Sequence, residues 1–121
     1  LNYNVSLGCV GMDLIWNNID WNWNHHPNPD AEAIKNASEL LVAAKAADIF
    51  PERAGSGVFP SVRLLWRGGI VEVEVFQDCF ELYFLPGADD KRSYTIDEFD
   101  AASPDALSKL IARISDILRT L

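Results

Sequence analysis

Cysteine is scarce in this chain: Cys9 and Cys79 are its only two, too few for a disulfide framework. Both are expected to be reduced thiols in a cytoplasmic protein. No apolar run is long enough to span a bilayer, so no membrane contact is expected. The chain opens on Leu1 rather than Met, as a fragment, a trimmed product or a non-AUG start would. That opening lacks the charged-then-apolar order of a signal peptide. Cations are few as well, with 10 Lys and Arg against 18 Asp and Glu, for a net charge of −8. That balance opposes direct contact with nucleic acid and favours a partner with a basic surface.

Catalytic signatures are also missing. There is no Gly-x-Ser-x-Gly elbow, no His-Glu-x-x-His and no phosphate loop. Gly55-Ser56-Gly57 is followed by a strand pattern rather than a helix, so it fails the dinucleotide fingerprint. His25 and His26 are adjacent and would point to opposite faces of a strand, with no ligand at metal spacing nearby. No catalytic residue, no metal ligand and no cofactor is assigned, and the protein is expected not to be an enzyme.

What the chain does contain is a sheet pattern between Val62 and Leu85. The spacing predicts three antiparallel strands, with Gly68-Gly69 as a two-residue hairpin turn and Gln77-Asp78 as a second. Arg67 then pairs with Ile70, and Phe76 with Cys79. Val62, Leu64, Trp66, Val71, Val73, Val75, Phe80, Leu82 and Phe84 fall on one wholly apolar face, the expected core face. On the other face Arg63 lies opposite Glu74 and Glu74 opposite Glu81, which predicts one cation bridging two carboxylates. Leu65, Ile70, Phe76, Cys79, Tyr83 and Leu85 surround that row and make it greasier than ordinary surface.

A helix is expected on either side of the sheet. The first begins at Asn28-Pro29-Asp30, with proline as its first residue, and runs to about Phe50 before Pro51. Its stripe is Ile34, Ala37, Leu40, Leu41, Ala44 and Ala47, leaving Lys35, Glu39 and Lys45 to solvent. The second begins at Ser103-Pro104-Asp105, with serine as cap, and carries Leu107, Leu110, Ile111, Ile114, Ile117, Leu118 and Leu121. Residues 51–61 read as a connector and Tyr94–Ile96 as a short fourth strand. Asp97, Glu98, Asp100 and Asp105 read as a solvated acidic loop.

The chain, at 121 residues and 49 % apolar, is long enough to bury a core. The expected fold is α+β: helix, three-stranded antiparallel meander, helix, both helices on one sheet face. The domain spans residues 29–121, preceded by a Trp- and Asn-rich segment, residues 1–28. In that segment Ile19, Trp21 and Trp23 alternate with polar residues, as in a strand. Large indoles must bury somewhere, either on the open sheet face or on a partner. Pro60–Trp66, the two glycines and Val71–Val75 resemble a pattern in small prokaryotic proteins of unassigned function. That resemblance implies a fold and no activity.

Taken together, these features predict a small acidic protein-binding module of the inhibitor, antitoxin, immunity or phage anti-defence type. Its expected contact residues are Trp16, Trp21, Trp23, Arg63, Leu65, Arg67, Ile70, Glu72, Phe76, Tyr83 and Leu85. A homodimer through the same face is the alternative, and a carboxylate or metal enzyme the third.

Overall fold

A computed structural model of the chain describes residues 29–57 and 59–121. The expectations for residues 1–28, including Trp16, Trp21, Trp23, His25, His26 and Cys9, lie outside the described residues. The order of elements is α1 (Ala31–Ala46), β1 (Arg53–Ser56), β2 (Val62–Trp66), β3 (Val71–Val75), β4 (Cys79–Phe84), β5 (Thr95–Asp100) and α2 (Ala106–Arg119). The fold is α+β. The sheet has five strands rather than three, all antiparallel and ordered as in the chain.

The central register is the one the alternation dictates. Val62 pairs with Val75 and Leu64 with Val73, while Val73 pairs with Leu82 and Val75 with Phe80. The first turn is longer than a two-residue loop, with four residues, Arg67 to Ile70, between the paired strands. Gly68 (φ 67°) and Gly69 (φ 99°) adopt the left-handed conformations such a turn needs. Arg67 is left-handed too (φ 52°), and Ile70 is right-handed helical, so the ladder closes at Trp66–Val71 and the expected Arg67–Ile70 pair is replaced by a short 3-10 turn.

Both added strands lie at the sheet's edges, where sequence alternation is weakest. β1 falls inside the expected connector and pairs Ala54 with Leu64 and Ser56 with Val62. The Arg-Ala-Gly-Ser run has little intrinsic strand preference, so the neighbouring β2 ladder selects its conformation. β5 starts one residue beyond Tyr94 and takes in Asp97, Glu98 and Asp100, which were expected in a loop. Asp97 lies on the helix-bearing side, opposite Leu82, and meets Arg113 of α2 at 3.4 Å. An edge position lets a carboxylate reach solvent and a cation from the inner side, which breaks the apolar-polar rhythm.

The helix boundaries shift for reasons of capping. Asp30, not Pro29, is the first cap: its side chain accepts from the Glu32 N–H at 2.7 Å. At the other end α1 stops at Ala46, short of Phe50. Asp48 turns left-handed (φ 58°), its N–H reaches Lys45 O, and the Ile49 N–H reaches Ala44 O. That pair of bonds is a Schellman motif, which satisfies the last carbonyls and sends Ile49 and Phe50 back onto the core. α2 starts at Ala106 behind Asp105, so Ser103 and Pro104 sit in the turn before it. Leu121 lies past the helix and is exposed.

The core joins both helices to the inner sheet face. Ile34, Leu40 and Leu41 from α1 and Leu110, Ile114 and Ile117 from α2 cluster with Leu64, Val73, Leu82 and Phe80. Alanines at 33, 37 and 44 are fully buried, which lets α1 lie close against the sheet. Two polar groups are admitted because each is bonded. The Trp66 indole donates to Ile49 O at 2.6 Å, and Asn36 donates to the carbonyls of Phe76 and Gln77 at 3.0 and 3.1 Å. Among the described residues no helix is long and apolar enough to cross a membrane.

Candidate protein-binding face

With both helices on the inner side, strand alternation sends Arg63, Leu65, Glu72, Glu74, Cys79, Glu81 and Tyr83 to the outer side. β5 adds Ile96, Glu98 and Asp100 to that side, opposite Tyr83, Glu81 and Cys79. Glu74, Glu81 and Glu98 therefore stand directly across from one another on three neighbouring strands. Carboxylates at such positions repel unless something intervenes.

What intervenes differs from the expected bridge. Arg63 is opposite Glu74 in register, yet its guanidinium reaches diagonally to Glu72, with Nη2–Oε1 at 2.9 Å and Nε–Oε2 at 3.3 Å. This two-point fork is the geometry a guanidinium favours. Glu74 is buried and accepts from the Ser61 hydroxyl at 2.6 Å. Glu81 accepts from the Tyr83 hydroxyl, and burial together with that bond raises the phenol's pKa. Thus each of the first two carboxylates is held by a neutral hydroxyl, and Glu98 is exposed with no such partner among the described residues. A hydroxyl orients a carboxylate without supplying a countercharge.

Close packing on this face depends on Gly57. Its N–H donates to Ser61 O at 3.0 Å, continuing the β1–β2 ladder. A methyl group at Gly57 would lie 2.0 Å from Ser61 Oγ and 2.6 Å from Glu74 Oε2. Only glycine leaves space for the hydroxyl–carboxylate bond.

The expected contact residues divide. Arg63, Leu65, Glu72 and Tyr83 share the outer face and are half-buried. Phe76 borders it, its ring 6.3 Å from that of exposed Phe59. Leu85 is exposed at the end of β4 and Arg67 is exposed in the turn. Ile70 does not belong to the face: its helical backbone turns the side chain onto the core cluster. Sequence reasoning missed Ser61, Gly57, Ile96 and Glu98. The Ile96-x-Glu98-x-Asp100 alternation was a usable signal for the last two.

A comparison with known protein families, curated proteins and solved structures found no match. Among the described residues, no three His, Cys, Asp or Glu side chains come together as a metal site. Cys79 is a free thiol at the border of the face. Burial, followed by the charges of Asp78, Glu98 and Glu81, pushes its pKa up to about 11. A thiol so held is protonated at neutral pH and is a poor nucleophile.

Proposed function

We propose that the protein is a small acidic, non-enzymatic module of the cytoplasm that binds another protein through the outer face of its sheet. The observation that carries this reading is the carboxylate file Glu74–Glu81–Glu98, which crosses three strands; among the described residues the only cation opposite it in register is Arg63, which is turned to Glu72. Leu65, Tyr83, Ile96 and Leu85 flank it with apolar area, of which Ile96 is 55 % and Leu85 44 % exposed. Apolar anchors beside a charged row are the make-up of an interface, and the charge sign selects a partner with a basic surface. Inhibitors, antitoxins, immunity proteins and phage anti-defence proteins work in this way. Trp16, Trp21 and Trp23 are proposed to add anchors from the N-terminal segment. The file itself weighs against the homodimer, since two copies face to face would oppose like charges.

Quantitative capture from lysate of the source cells tests this, using the parent chain, Glu98→Lys and Ile96→Arg as baits. A protein held by the parent, released by salt and lost by both variants supports the reading. Equal capture by all three baits, or retention of nucleic acid alone, defeats it. A dimer of the parent in light scattering that both variants dissolve would favour self-association instead.

A further inference from the structure

The two edge strands of the sheet, β1 and β5, differ in what they leave unpaired. The Ala101 N–H bonds Asp78 O at 3.0 Å, one step beyond the Cys79–Asp100 pair. Hydrogen-bonded pairs alternate along an antiparallel ladder, so Thr95, Asp97 and Phe99 turn their backbone groups to β4. The N–H and C=O of Ile96, Glu98 and Asp100 therefore point away from the sheet. Asp100 O is taken by the Ser103 N–H at 3.0 Å, in the turn toward α2. Ile96 and Glu98 are exposed, and their backbone donors and acceptors are unpaired among the described residues. On β1 the same alternation, started from the Gly57–Ser61 bond, turns out Ala54 and Ser56. Ser56 is 1 % exposed, so that edge is covered at its end.

Side chains decide what can pair with the open edge. β5 carries Asp97, Glu98 and Asp100, of which only Asp97 meets a cation, Arg113, among the described residues. A second copy of β5 would set these acids against the same acids. An edge guarded by acids turns away strands of like sign and admits one that carries cations.

We propose that the partner of the outer face docks by adding a basic, extended segment antiparallel to β5 as a further strand of the sheet. This deepens the function proposed above and rests on it. The segment's backbone bonds Ile96 and Glu98, and its alternate side chains lie on the outer side. There a lysine or arginine stands beside Glu98, another beside Asp100, and an apolar residue beside Ile96. Main-chain bonds supply affinity in strand addition, and the alternate side chains supply specificity.

The probe is the synthetic peptide acetyl-Lys-Val-Lys-Thr-Val-Thr-amide, titrated into the full chain at low ionic strength and followed by NMR. Antiparallel to β5, its lysines fall opposite Asp100 and Glu98, and its second valine opposite Ile96. Saturable shifts at the Ile96 and Glu98 amides are expected, with slower hydrogen exchange at both. Glutamates in place of the lysines should weaken binding at least about tenfold. N-methylation of the second lysine and the second valine removes the N–H groups aimed at β5, keeps the charge, and should also cost about tenfold. Ile96→Pro removes an outward N–H and no bond to β4, and should weaken the peptide about threefold or more. Should that variant unfold, the N-methylated peptide carries the test alone. Binding indifferent to N-methylation, or no saturable shift at millimolar peptide, would overturn the proposal. So would Ile96 and Glu98 amides already slow to exchange in the free chain, which would mean that the edge is paired by another part of the chain or a second copy. Lysate capture lost with Glu98→Lys but kept with Ile96→Pro would remove strand addition and leave the binding face standing.

Discussion

The Ser61 hydroxyl donates to the Glu74 carboxylate at 2.6 Å under a glycine that leaves no space for a methyl group. This bond explains how an acid stays buried in the outer sheet face while Arg63, opposite it in register, is turned to Glu72. Ser61→Ala should lower stability by about 1–3 kcal/mol, the cost of leaving a buried acceptor unmet. Gly57→Ala should cost a similar amount by forcing the hydroxyl aside, and the double variant should cost less than the sum. Urea denaturation of the four chains reads this cycle. Strict additivity would show that the two residues do not act through one bond.

Asn36 fastens α1 to the β3–β4 turn through its two bonds to the carbonyls of Phe76 and Gln77. Asn36→Ala should lose about 1–3 kcal/mol, since two inward carbonyls lose their donor. Asn36→Asp should lose more, because it sets a charge against those carbonyls. Equal midpoints for parent and Asn36→Asp would disprove the tie.

Asp48 occupies the left-handed position of the Schellman motif that ends α1. Asp48→Gly should hold or gain up to about 0.5 kcal/mol, and Asp48→Ala should lose about 1 kcal/mol, because a Cβ is disfavoured there. Thermal unfolding of the pair checks this, and a more stable alanine variant would contradict the helix end.

The sequence reading was strongest where both sides of an element are constrained. In β2–β4 a one-residue slip would bury Glu72 and Glu81, so the alternation alone set the register that the structure shows. It was weakest at the edges. Arg53–Ser56 becomes a strand only because β2 offers it a ladder, and Asp97 hides the rhythm of β5 by sitting on the inner side beside Arg113. The charge pairing of the outer face was also out of reach. Register shows which residues are opposite, but Arg63 bonds its diagonal neighbour Glu72 while Ser61 holds Glu74. The Ser61 contact lies within the β2–β3 pairing, one residue before Val62 on the outer side, and only the glycine over it, Gly57, belongs to the continuation of the unannounced strand at 53–56.

Cys79 reports on the carboxylate file without any partner being known. Its thiol is pushed up to about 11 by burial and then by Asp78, Glu98 and Glu81. In a Cys9→Ser background it should therefore react with Ellman's reagent at pH 8 more slowly than free cysteine, and faster once urea unfolds the chain. Removing charge from the file should lower the thiol's pKa, so Glu98→Gln and Glu81→Gln should each speed the reaction at pH 8 while the fold persists. The linkage has a definite sign. The unfolded chain releases the thiol proton near pH 8.5, whereas the folded chain holds it to about 11. Across that window the folded state binds more protons, so this contribution to stability is whole below the window and is lost as pH rises through it. Cys79→Ser should flatten that decline relative to the Cys9→Ser parent. Identical stability curves for the two chains between pH 8 and about 11, or a reaction indifferent to both glutamate changes, would mean that the file exerts no field at the edge of the face.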